Sequence, residues 1–131
     1  MKKVTAALIR SGERILVAKR KATDRVPLKW EFPGGKIEDG ESPEECLRRE
    51  IQEELNIDIT VKDFFGSSVY HYDHGTIELL AYWAESAPNQ TITPLSHESV
   101  EWVRISALGS YDFAPADKPF VERLRGEDHD S

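Results

Sequence analysis

Residues 35–57 read GKIEDGESPEECLRREIQEELNI, a glycine-rich loop running into a helix marked at both ends. Ser42 is a good N-cap, and Pro43 sits where its missing N–H costs nothing. Glu45, three residues after Ser42, completes a capping box. The spacing predicts a helix to about Leu55. Asn56 follows, one of the few non-glycine residues that accept the left-handed C-cap conformation. Leu47, Ile51 and Leu55 form an apolar stripe that must face a core. Glu50, Glu53 and Glu54, spaced i, i+3, i+4, share a narrow arc beside it. Any fold of this chain must therefore bury one side of the helix and set three like charges along the buried border. Each like pair costs about 0.2–0.5 kcal/mol at that spacing.

A solvated acidic face is one account of three glutamates on a helix. The preceding segment Trp30-Glu-Phe-Pro-Gly-Gly-Lys36 favours another. Residues 30–32 read as a short strand, and Pro33-Gly34-Gly35 as a tight turn where backbone can approach a ligand. Hard cations such as Mg²⁺ take oxygen ligands, keep several waters and share substrate phosphates. Carboxylates at a loop–helix junction suit such an ion, and an ion beside a glycine loop suggests phosphate chemistry. Arg49, four residues after Glu45 and four before Glu53, can brace both.

Composition narrows the partners. A chain of 131 residues is enough for one domain with a real core. The net charge of −7 argues against a nucleic-acid polymer as partner, while free nucleotides stay open because a cation offsets local charge. The single cysteine, Cys46, excludes a disulfide framework within the chain and reads as a small semi-buried helix residue. No signal peptide and no membrane-length apolar run occur, which points to a cytoplasmic protein. Apolar, β-rich runs lie at 4–9 and 14–18, separated by a Ser11-Gly12 hairpin signal. One or two strands fill 58–72, broken near Gly66, and others lie at 76–84 and 100–105. A last helix is expected over 116–125, then a frayed acidic tail at 126–131. The order β-β-β-α-β-β-β-α suits one domain with a mixed sheet between helices.

The helix and loop together resemble the Nudix box, G-x5-E-x7-R-E-U-x-E-E-x-G-U with U a bulky aliphatic. Gly35, Glu41, Arg49, Glu50, Ile51, Glu53, Glu54 and Ile57 match, and Asn56 replaces the last glycine. The resemblance implies an α/β/α sandwich and a hydrolase of nucleoside diphosphates linked to another group, using Mg²⁺ or Mn²⁺. It makes Glu50, Glu53, Glu54 and the Gly34 carbonyl the metal ligands, with Arg49 orienting the glutamates and Glu41 supporting the loop or an outer-shell water. Glu53 is the expected base, or the ligand nearest the attacking water. Some members recruit a base from a later loop, where Glu98 is the candidate here.

Outside the box, residues 30–38 and 113–121 resemble the MutT-like branch, which splits nucleoside triphosphates to monophosphate and pyrophosphate by attack at the β-phosphorus. In that branch the base lies between an aromatic and a residue ahead of the last helix, here Phe32 and Asp117. Arg20 matches a phosphate- or sugar-contacting arginine, and Lys36 belongs to the same substrate-binding set. His71 and His74 could line the base pocket or be strand-end side chains. Enzymes specific for 8-oxo-guanine carry Asn at position 117, offering one donor and one acceptor. Ionised aspartate only accepts; pairing with both the cytosine amine and its ring nitrogen needs a protonated carboxyl. Ala-Pro-Ala-Asp117 is similar to the CTP pyrophosphohydrolase subgroup. The expected substrate is therefore a cytosine nucleoside triphosphate, with 8-oxo-dGTP as the alternative, acted on by a monomer or homodimer.

Competing classes lack their marks. No proline occurs between Pro43 and Pro88, against an ADP-ribose hydrolase, and the proline-rich array of NADH hydrolases is missing. A non-catalytic nucleotide-binding Nudix domain tends to lose box glutamates or Arg49, all of which stand here.

Overall fold

Strand β1 (Lys2–Ser11) organises the molecule, and residues 5–9 within it are buried on both faces. The computed structural model describes residues 1–24 and 27–130, apart from the side chains of 127–130. β1 turns back through a hairpin into β2 (Arg14–Lys19). Along the rest of its length it pairs in parallel with β5 (Gly75–Ser86). β4 (Ile59–Tyr72) lies antiparallel on β5 at the edge. β2 carries β3 (Trp30–Glu31) and β6 (Ser99–Arg104), both antiparallel. The sheet is therefore mixed, with β1 and β5 its parallel pair.

Alternation along β1 and β2 sends side chains into two cores. Ala6, Leu8, Ile15 and Val17 pack with Phe120, Val121 and Leu124 of helix α2 (Lys118–Asp130). Ala7, Ile9 and Leu16 pack with Leu47, Ile51 and Leu55 of helix α1 (Pro43–Leu55). A strand covered on both faces reads as a continuous apolar run. One helix on each face makes the α/β/α sandwich. Neither helix is long and apolar enough to cross a membrane.

α1 carries the expected caps. Ser42 Oγ accepts from Glu45 N at 3.1 Å, and Glu45 Oε1 accepts from Ser42 N at 2.9 Å. Asn56 closes the helix at φ 56°, ψ 39°, in the left-handed region. Replacing Asn56 by Gly is expected to leave thermal stability within a degree or two, because both residues accept that conformation. Asn56→Val should lose about 1–2 kcal/mol, the cost of a Cβ-branched residue there. Equal melting temperatures for the two variants would show that the cap conformation is not what this position selects.

Four expectations change. Pro33-Gly34-Gly35 forms no tight turn. The segment lies alongside β1, with Ala7 N donating to Pro33 O and Thr5 N to Gly35 O, both at 2.7 Å. β4 runs unbroken past Gly66 and absorbs irregularity there as two register shifts. A 3-10 helix at Ile105–Ser110, with no periodic signal of its own, follows β6. α2 starts at Lys118 because Asp117 N is held in a turn on Ala114 O at 2.9 Å. Its backbone continues to Asp130; Ser131, the end of the expected tail, lies outside the described residues.

Candidate active site

The acidic arc of α1 borders the loop that β1 holds. Arg49 gathers it. Its Nε and Nη2 donate to both oxygens of Glu41 at 2.7 and 2.9 Å, and its Nη1 to Glu50 at 2.8 Å and Glu53 at 3.3 Å. Glu45, expected to share this brace, is occupied by the capping box instead. The two-pronged guanidinium holds the Glu41 carboxyl down at about 2. What that ion pair contributes is present above the ordinary carboxylate value of 4.5 and is lost as pH falls toward 2. Burial pushes Glu50 up, against the pull of Arg49.

Glu54 differs from its neighbours. Burial, then the charges of Glu31 and Glu50, push its carboxyl up to about 9. Its Oε2 is buried with no hydrogen-bond partner. A buried carboxylate oxygen without a partner, among further carboxylates, is a site in want of a cation. The glycines make room for it. A Cβ at Gly35 would lie 2.3 Å from Glu50 Cδ, so only glycine lets that carboxylate lie against the loop. Among the described residues no three acidic, imidazole or thiol side chains converge on one point, because Arg49 draws Glu50 and Glu53 to itself. The donors, all hard oxygens, fit Mg²⁺ or Mn²⁺ once those two carboxylates turn from Arg49.

A cavity of about 330 Å³ opens beside this face. Phe32, Gly34, Arg20 and Asp117 line it, as do Glu31 and Tyr72. Backbone pairing explains the assembly. Trp30 N donates to Asp112 O and Ala114 N to Trp30 O, both at 2.9 Å, which zips residues 112–114 onto β3. Phe32 and Phe113 then pack with ring centroids 5.2 Å apart. Asp117, 4% exposed, does not cap α2 with its side chain; Oδ1 accepts from Phe32 N at 3.1 Å. Burial, then the charge of Glu31, pushes the Asp117 carboxyl well above its ordinary value.

The other expected residues separate. His74 lines the cavity, its ring stacked on Tyr72 at 5.0 Å, whereas His71 pairs with Thr76 Oγ1 at 2.7 Å. Lys36 is exposed and outside the cavity wall. Glu98 is also exposed, its N–H donating to Lys19 O at 2.9 Å, while its neighbour His97 turns inward. Cys46 is buried, with Sγ 3.4 Å from Gly35 O. Two residues escaped the sequence reading: Glu31, on the cavity wall, and His97, buried beside it. Glu31 joins Arg20 Nη1 at 2.7 Å and His97 Nε2 at 2.8 Å. The signal for Glu31 was a charge between Trp30 and Phe32, since charge inside an apolar strand needs a partner. Nothing local marked His97.

Comparison with known proteins places the arrangement. The NUDIX domain profile matches residues 1–124. CTP pyrophosphohydrolase of Escherichia coli K12 is 35% identical over 122 residues, covering 93% of this chain and 90% of its own. The 8-oxo-dGTP diphosphatase of the same organism is 34% identical over 130 residues, 95% and 98% of the two chains. The solution structure of the E. coli ORF135 protein matches with a TM-score of 0.79 at 35% identity, over 93% of this chain and 86% of that one. The chain belongs to the Nudix family and is a Nudix hydrolase. Hydrolases of this family act on small nucleotides and generally use Mg²⁺ or Mn²⁺.

Proposed function

We propose that the chain is a metal-dependent nucleoside triphosphate pyrophosphohydrolase that releases monophosphate and pyrophosphate and prefers cytosine nucleotides. The observation that carries the base preference is the buried Asp117 carboxyl, kept toward its neutral form on the cavity wall. A neutral carboxyl donates from one oxygen and accepts on the other. Cytosine presents the complement, an acceptor ring nitrogen beside a donor amine. Plain guanine presents a carbonyl and two donors on its pairing edge; a neutral acid meets the carbonyl and one donor and leaves the other donor unmatched, whereas an ionised acid accepts from both. The 35% identical relative named CTP pyrophosphohydrolase supports the same reading. An 8-oxo-purine is the second reading. Its new ring N–H beside a carbonyl also matches a donor–acceptor pair, and the 34% identical relative is named 8-oxo-dGTP diphosphatase.

Glu50, Glu53, Glu54 and the Gly34 carbonyl would hold the cation. A divalent ion there neutralises phosphate oxygens and lowers the pKa of bound water. The chain supplies the rest. Glu53 accepts the proton of the attacking water, being the most exposed of the three box glutamates at 59% of its side chain. Arg49 sets the carboxylates in place. Arg20 meets the sugar or phosphate from the cavity wall, and Phe32 and Asp117 meet the base. Lys36 reaches phosphate from the loop. Glu98 is exposed and does not line the cavity, which supports Glu53 as the proton acceptor.

The test is a hydrolysis panel in Mg²⁺, scoring pyrophosphate and monophosphate from CTP, dCTP, 5-methyl-dCTP, dGTP and 8-oxo-dGTP. A cytosine nucleotide should show the highest kcat/KM, by about tenfold over dGTP, the worth of one mismatched hydrogen bond. EDTA should abolish turnover. A clear lead for 8-oxo-dGTP replaces the cytosine reading with the second one. No cleavage of any triphosphate removes the proposal.

A further inference from the structure

We propose that Glu31, with both carboxylate oxygens committed to Arg20 and His97, is a specificity-determining residue of the cavity, and that His97 is its positioning residue. The inference rests on Asp117 reading the base, and it explains what sets Asp117.

The geometry is a chain of short contacts that runs through two cavity-wall residues, Arg20 and Glu31, and ends on partners outside the wall. Arg20 Nη1 donates to Glu31 Oε1 at 2.7 Å, and Arg20 Nη2 meets Asp24 at 2.6 Å. His97 Nε2 lies 2.8 Å from Glu31 Oε2. A carboxylate so held only accepts, so Nε2 carries the imidazole proton. His97 is buried, and its Nδ1 has no partner. Burying an imidazole with one nitrogen unsatisfied is unfavourable, and the fold sustains it at the one place where it fixes Glu31.

The N–H that Asp117 accepts belongs to the peptide between Glu31 and Phe32. The two acids therefore share one stretch of backbone. Their partners differ. Glu31 has a guanidinium and an imidazole on its oxygens, whereas the described hydrogen bond of Asp117 comes from a neutral amide. When two acids compete at short range, the one lacking a cation gives up its charge. The groups that face Asp117 are Glu31 on β3, Arg20 just after β2, and Tyr72 on β4, which itself accepts from Ala116 N at 3.2 Å. Burial and Glu31 raise its pKa; Arg20 and the Phe32 amide oppose them. Glu31 is the charge among these that favours the neutral acid. It thereby fixes a donor–acceptor reading of the base edge.

Glu31→Gln tests this, because the amide keeps the shape and removes the charge. Two readouts apply. The first is the titration of the Asp117 carboxyl carbon by NMR, whose midpoint should fall by about one pH unit or more. The second is the dCTP to dGTP ratio of kcat/KM between pH 6 and 8. In Glu31→Gln it should begin to fall at lower pH than in the wild type, about tenfold once Asp117 ionises and accepts from both guanine donors. The ratio cancels effects on the shared triphosphate, so damage to the acidic face of α1 leaves it unchanged. His97→Ala should move the ratio the same way, and His97→Gln, which keeps a donor at the Nε2 position, should restore it. An unmoved midpoint and ratio in Glu31→Gln overturn the proposal. Asp117→Asn, run alongside, separates the two ideas. If it leaves base preference pH-independent and Glu31→Gln does nothing, only the Glu31 role fails. If Asp117→Ala leaves base preference untouched, the reading beneath it fails.

Discussion

Gly35→Ala is expected to yield a folded protein that has lost about 10²-fold in kcat/KM, while Gly34→Ala, one residue away, is expected to lose the fold. The added methyl group is the same; what it meets is not. At Gly34 the Cβ would sit 2.0 Å from the Thr5 carbonyl oxygen and 2.7 Å from its carbon. Those atoms belong to β1, which is packed on both faces and cannot retreat. The cost lies at or beyond the upper end of about 1–3 kcal/mol for overpacking a core. At Gly35 the Cβ would meet the Glu50 carboxylate, 2.3 Å to Cδ. That is the free end of a side chain, so it swings away. The swing carries one expected cation ligand away from the Gly34–Gly35 loop, against which the cation would sit. Misplacing a reacting constellation by about 1 Å costs on the order of 10²-fold. Thermal melts with and without Mg²⁺, beside steady-state rates, separate the two. Gly35→Ala should melt within a few degrees of wild type but gain little from Mg²⁺. A Gly35→Ala protein with wild-type turnover would show that Glu50 need not lie against the loop.

That contrast also shows where the sequence was legible. Helix α1 could be read nearly residue by residue, because caps and periodicity are local: Ser42, Glu45 and Asn56 act on backbone within four positions. The strands of the central sheet were legible because apolar runs bounded by turn residues leave few alternatives. The glycines were noticed for the wrong reason. A turn is a property of four consecutive residues, whereas Gly34 and Gly35 answer to Thr5 and Glu50, which only the fold brings near. Arg49 was assigned by helical spacing to Glu45 and Glu53, yet its main partner is Glu41, reached because the loop folds back onto the helix. The contact that holds the cavity wall from behind was least legible. Glu31 and His97 are 66 positions apart, and their contact depends on β2 pairing with β3 on one side and β6 on the other. No periodicity encodes it.

The buried acid of α1 gives the largest opposed effects on stability and turnover. Glu54→Gln is expected to stabilise the cation-free protein while cutting kcat by about 10²–10⁴-fold, the scale on which positioned catalytic groups act. Its carboxyl stands at about 9 in the fold against 4.5 ordinarily. A raised value means that its contribution is fully present below 4.5 and is lost progressively as pH rises toward 9. At pH 7 the difference is about 2–3 kcal/mol, taking 1.36 kcal/mol per unit from 4.5 to 7 and discounting for partial solvation. Glutamine does not titrate, and its amide can donate toward the neighbouring carboxylates. Denaturation in EDTA at pH 5, 7 and 8.5 should therefore show wild type and variant close together at pH 5 and increasingly apart above it. Glu53→Gln is the control. It should lose a similar share of turnover, but its side chain is 59% exposed and held by one 3.3 Å contact, so stability should hardly move. If Glu54→Gln is no more stable than wild type at pH 8.5, burial there is relieved by water. In that case the unpartnered oxygen is no sign of a cation site. If both variants keep full turnover, the acidic face of α1 is not where the phosphate bond is broken.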